Sequence, residues 1–93
     1  PVTAPVAASG RGVLSGVCMS TRDECLAAEV ALVQIVNVDG APVFEEMVPI
    51  GGQYQAQFLP GAYILQAQAL PCLYSQRFTI ALGDAMIINT LLF

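Results

Sequence analysis

Three cysteines, Cys18, Cys25 and Cys72, are the side chains here best able to do chemistry, and what surrounds them narrows that chemistry. The chain contains no histidine, so the commonest general base and metal ligand is missing. It contains no lysine either: its three basic residues are Arg11, Arg22 and Arg77. A nucleophilic cysteine would have only Arg22 nearby to lower its pKa, with no imidazole to take its proton. A zinc site would have three thiolates without a C-x2-C spacing, an incomplete set. The acids assemble no catalytic pair. Asp23 and Glu24 sit between the first two cysteines, Glu45 and Glu46 are adjacent and point to opposite sides of an extended chain, and Asp39 and Asp84 fall in turns. Glycoside hydrolysis needs two carboxyl groups across a cleft, and this spacing offers none. A calcium ion held by Asp23, Glu24 and loop carbonyls is the remaining metal option, and a minor one. The expectation is no enzyme, no cofactor and no resident metal, with the three cysteines as disulfide candidates.

The elements that must position these residues show a period of two. Runs of alternating polarity are separated by turn residues every eight to twelve positions, the pattern of an all-β sandwich. Seven strands are expected, over 12–19, 28–38, 42–50, 51–58, 62–70, 74–82 and 85–93. A helix through 53–68 would carry Pro60 in its interior at about 3 kcal/mol and Gly61 at about 1 kcal/mol more, so the helical reading fails. Cys18 then ends the first strand, Cys25 precedes the second, and Cys72 lies between the fifth and sixth. All three belong to one end of the sandwich. A disulfide needs Cα atoms roughly 4.4–6.8 Å apart, which co-location permits. Cys18–Cys25, a pair that includes Cys72, and no bridge at all remain open. Any bridge places the chain in an oxidising compartment, outside the cytoplasm.

Five glutamines mark the strands either side of Leu59-Pro60-Gly61. Gln53, Gln55 and Gln57 alternate with Tyr54, Ala56 and Phe58, and Gln66 and Gln68 share a face away from Tyr63, Leu65 and Ala67. They read as the wet side of the sheets, the sharper alternative being amides lined up on sugar hydroxyls or a partner strand. The second strand is apolar on both faces: Val30, Leu32, Val36 and Val38 on one, Ala31, Val33 and Ile35 on the other. The last strand repeats this, with Met86, Ile88 and Leu92 opposite Ile87, Leu91 and Phe93. A sandwich strand buries one face. Ala31, Val33, Ile35, Ile87 and Leu91 are therefore the expected partner surface.

Composition agrees with a docking role. Apolar residues make up 56% of the chain and charged residues 11%, with net charge −4, and mean hydropathy is +0.67. A phosphate-binding footprint is absent, which argues against nucleic acid. No apolar run approaches the ~18–20 residues of a membrane span. Residues 1–10, "PVTAPVAASG", read as a flexible Pro/Ala/Ser tether and as the start of a processed or trimmed product, leaving one domain over 11–93.

"LSGVC" (14–18), "GQY" (52–54), "LPG" (59–61) and "YIL" (63–65), followed by two closing strands, carry a family resemblance. The chain resembles the prealbumin-like (transthyretin-like) sandwiches of the carboxypeptidase regulatory-like and collagen-adhesin B-type domain group. The resemblance implies a seven-stranded, two-sheet Greek-key sandwich whose strands flanking Leu-Pro-Gly lie in opposite sheets. It implies a stalk, spacer or accessory module in a cell-surface or periplasmic protein, and some relatives are small outer-membrane lipoproteins that hold secretion machinery together. Two departures stand out. The segment between Tyr54 and Gly61 is about one residue short, and without lysine the isopeptide cross-link of one subgroup cannot form. The expected partner is a host chain, an envelope protein or a second copy. A carbohydrate-binding accessory domain is the alternative, handicapped by the absence of tryptophan.

Overall fold

The computed structural model describes residues 11–93; the expected tether at 1–10 lies outside the described residues. Among the described residues the chain forms β1 (Gly12–Ser20), a single-turn helix α1 (Asp23–Leu26), β2 (Val30–Asn37), β3 (Pro42–Pro49), β4 (Gln53–Phe58), β5 (Gly61–Ala69), β6 (Cys72–Ile80), β7 (Ala85–Ile87) and β8 (Thr90–Leu92). Two sheets pack face to face. Sheet I runs β4-β1-β7, with β8 also beside β1, and sheet II runs β3-β2-β5-β6. Sheet II is antiparallel throughout, whereas in sheet I β4 is antiparallel to β1 and the last two strands are parallel to it.

The strands form where alternation allows one face to be dried. Leu14, Tyr54, Ala56, Phe58 and Leu92 of sheet I meet Ala31, Val33, Ile35, Val48, Leu65, Ala67, Phe78 and Ile80 of sheet II in one core. Each fully buried leucine or isoleucine there contributes about 1.5–3 kcal/mol. Phe58, Tyr63 and Phe78 form an aromatic cluster, with ring centroids 4.8, 5.9 and 5.8 Å apart. The Tyr63 hydroxyl donates to the Leu59 carbonyl at 2.5 Å, tying the first residue of the Leu-Pro-Gly turn to the strand that follows it. That turn is an arch: β4 lies in sheet I and β5 in sheet II. The two glutamine sets therefore decorate opposite outer faces.

Within sheet II, side-chain chemistry makes the turns. Asn37 Oδ1 accepts from the Asp39 and Ala41 N–H groups at 3.0 Å each, and Gly40 takes φ 83°, so the Asp-Gly turn is closed by an Asx-type cap. The β5–β6 hairpin turns through Leu70 and a cis Pro71.

Two expectations change. The connection between the first two expected strands, 20–27, is not all loop, because Asp23–Leu26 winds into α1, with Asp23 and Glu24 in its first turn and Cys25 on its buried side. The expected single strand over 85–93 is split at Ile88–Asn89. Its register on β1 runs unchanged across the break, from Ser15↔Ile87 to Cys18↔Thr90. Ile88 N–H still donates to the Ser15 carbonyl at 2.9 Å, but Asn89 supplies its side-chain oxygen to Val17 N–H at 3.0 Å, standing in for a main-chain acceptor.

Candidate functional site

Each cysteine enters the core from its own element. Cys18 faces inward from β1, Cys25 from α1 and Cys72 from the start of β6, and all three are fully buried. α1 brings Cys25 over Cys72, with Cα atoms 5.6 Å apart, and these two form a disulfide while Cys18 remains a free thiol. The bridge joins sheet II to the connection between β1 and β2. Beside it the chain closes its own end: Leu73 and Phe93 exchange main-chain hydrogen bonds, both 3.3 Å, linking β6 to the residue after β8. The Arg22 guanidinium lies 5.1 Å from the centre of the Phe93 ring and pairs with Glu24 at 2.9 Å.

The expected partner surface requires a correction. Ala31, Val33 and Ile35 are 0% exposed. They point into the core because β2 lies between β3 and β5, and their register partners Val48, Ala67 and Leu65 point there too. The outer face of β2 is instead Val30, Leu32, Gln34 and Val36. Leu32 is flanked by Met47 and Gln68, and Val36 by Pro42 and Ile64.

Ile87 and Leu91, by contrast, do lie on the outside of sheet I. They are 69% and 45% exposed, and Met19, opposite Leu91 on β1, is 38% exposed. Phe93 continues the line at 71% exposed. Met19 joins the expected residues on this surface, and its parity with Val13, Ser15 and Val17 is the sequence signal that marks it. Ile87, Met19, Leu91 and Phe93 thus lie along one side of sheet I, with exposed Asn89 between Ile87 and Leu91 and the Arg22 guanidinium over the Phe93 ring. The glutamine row Gln53, Gln55 and Gln57, all exposed, runs along the other.

The outer face of sheet II is more mixed. A polar row, Glu45, Gln34, Gln66 and Ser75, crosses it, with Gln34 Nε2 donating to Glu45 Oε2 at 2.9 Å. Beyond it a shallow groove is lined by Val38, Ala62, Ile64, Arg77 and Thr79.

No tyrosine offers an open ring. Tyr54 and Tyr63 are buried, and Tyr74 is half-buried with its hydroxyl donated to Gln76 Oε1. Burial pushes the Tyr54 phenol well above its ordinary pKa, with smaller contributions from Tyr74 and Cys18. Its hydroxyl donates to the Ile88 carbonyl at the break between β7 and β8. Among the described residues no group of three or more His, Cys, Asp or Glu is placed to hold a metal ion, and no helix is long and apolar enough to cross a membrane.

Comparison with protein-family models and with curated proteins finds no match. The backbone does resemble solved structures. It aligns with the crystal structure of S.CueP at a TM-score of 0.63 and 12% sequence identity, covering 92% of this chain and 65% of that one. It aligns with a DUF3823 family protein from Parabacteroides merdae at a TM-score of 0.59 and 15% identity, covering 91% of this chain and 47% of that one. The chain therefore spans less than two thirds of the length of either protein. At these identities the likeness shows a shared β-sandwich fold.

Proposed function

We propose that this chain is a non-catalytic, extracytoplasmic β-sandwich module with a structural or protein-interaction role in a cell-surface or envelope assembly, and that the outer face of sheet I is where it docks. The row of Ile87, Met19, Leu91 and Phe93 carries the reading. Met19 and Leu91 are register partners on adjoining strands, with Ile87 and Phe93 exposed on the same face; such a row of large apolar side chains is explained by a covering surface, whereas scattered single ones would need no explanation. The Cys25–Cys72 bridge supports the location, since disulfides persist in oxidising compartments. The strand orders β4-β1-β7 and β3-β2-β5-β6, with the arch at Leu59-Pro60, support placing the module with the prealbumin-like sandwiches. A sugar-binding role would need an exposed ring beside Gln53, Gln55 or Gln66, and with Tyr54 and Tyr63 buried nothing favours it.

The test is a photo-crosslinking side chain placed at Leu91 in the full chain, expressed in the cell that makes it. A discrete adduct at position 91, absent when the same group stands at Leu59 in the arch, is the expected result. No adduct at 91, or equal labelling at both sites, overturns the docking face.

A further inference from the structure

Strand β4 has a hydrogen-bonded neighbour on one side only among the described residues. Its pairing with β1 fixes which groups look the other way. Cys18 bonds toward the β4 side, donating to the Gly52 carbonyl at 2.9 Å and accepting from Gly51 N–H at 2.6 Å. By the antiparallel alternation, Gly16↔Tyr54, Leu14↔Ala56 and Gly12↔Phe58 are the bonded pairs. The main-chain N–H and C=O groups of Gln53, Gln55 and Gln57 consequently point out from the sheet edge.

The other edges are guarded. β3 carries Pro42, Glu45, Glu46 and Pro49, β6 is engaged at Leu73 by Phe93 and carries Arg77, and β7 and β8 have three residues each. Proline and charge are the usual means of blocking an edge. β4, reading QYQAQF, has neither.

We infer that β4 pairs antiparallel with β4 of a second copy of this chain, about a two-fold axis at Gln55, joining the two copies of sheet I into one continuous sheet. In this register Gln53 faces Gln57 of the other copy and Gln55 faces itself, each opposed pair exchanging two main-chain hydrogen bonds. On the core side large meets small, Tyr54 against Ala56 and Phe58 against Gly52. On the outer side only neutral amides meet. Because β4 carries no charged residue, pairing it with its own copy sets no like charges opposite one another. The two-fold axis is perpendicular to the sheet and keeps both outer faces on one side. A central glutamine field is then flanked by two copies of the apolar row, which leaves the docking face described above open in the pair.

Sedimentation of the chain across micromolar to millimolar concentration tests the inference, with two variants that spare the β1–β4 ladder. Gln55→Pro removes only an edge-facing N–H, and Gln55→Lys sets two cations across the axis. Both are expected to be monomers, with circular dichroism unchanged, under conditions where the parent is a dimer. Cysteine pairs read the register. Gln55→Cys brings its own copies to Cα atoms about 5.5 Å apart and crosslinks on oxidation; Gln57→Cys copies lie more than ~13 Å apart and do not. A parent that stays monomeric throughout overturns the inference. So does a dimer that survives Gln55→Lys, or crosslinking at 57 as ready as at 55. The docking face is read separately, by the adduct at Leu91.

Discussion

Cys18 and the Cys25–Cys72 pair share one core, and what separates their chemistry is the single turn of helix that lifts Cys25 over Cys72. That turn is why the pairing could not be read from the sequence. The three positions were legible as neighbours at one end of the sandwich, but the choice of partner rests on a few ångströms of local geometry in a segment of mixed polarity. The bridge spans a sequence separation of 47, and closing a loop of that size restricts the unfolded chain enough to stabilise the fold by about 2–4 kcal/mol. Reduction, or the Cys25→Ala/Cys72→Ala double variant, is expected to lower the unfolding free energy by that amount in urea titrations. Alkylation should modify one thiol in the non-reduced chain, Cys18, and only after denaturation. Rapid labelling of the native protein, or three reactive thiols in it, would contradict this arrangement.

At the scale of elements, the last strand shows what alternation can and cannot reveal. Its apolar residues were legible as strand, and so was its place in the sandwich. The break at Ile88–Asn89 was not, because it follows from a contact with a glycine seventy-odd residues away. A Cβ on Gly16 would lie 1.9 Å from the Ile88 carbonyl oxygen and 3.0 Å from the Tyr54 hydroxyl, the group that donates to that oxygen. Gly16, Tyr54 and Ile88 therefore act together: the missing side chain admits the carbonyl and the phenol satisfies it. Gly16→Ala is expected to cost at least about 1–3 kcal/mol by overpacking and to loosen β8, seen as faster hydrogen exchange at Thr90–Leu92. Wild-type protection there would refute the account. β2 marks the complementary limit. With apolar residues on both faces, the pattern gave no means of choosing between them. Ala31, Val33 and Ile35 go inside because the core side must match Val48, Ala67 and Leu65, while Leu32 and Val36 are sheltered by cross-strand neighbours on the outside.

For the molecule as a whole, the two shifted tyrosines place a pH effect at the alkaline end. There is no histidine to change charge between about pH 5 and 8. Burial raises the pKa of both Tyr54 and Tyr74 above the ordinary phenol value. Such a group holds its proton more tightly folded than unfolded. Its contribution is fully present below the unfolded pKa of about 10 and is lost as pH rises from there toward the folded pKa. Urea midpoints are therefore expected to fall steadily above about pH 10. Tyr54→Phe separates the two roles of this side chain. At neutral pH it loses the bond to Ile88, at about 1 kcal/mol. Above pH 10 its stability should decline less steeply than the parent's, because the more deeply buried of the two shifted phenols is gone. Equal alkaline slopes in parent and variant would mean that Tyr54 does not govern the loss. A shallower slope would tie the alkaline limit of the whole sandwich to the hydroxyl that donates to the Ile88 carbonyl at the break between β7 and β8.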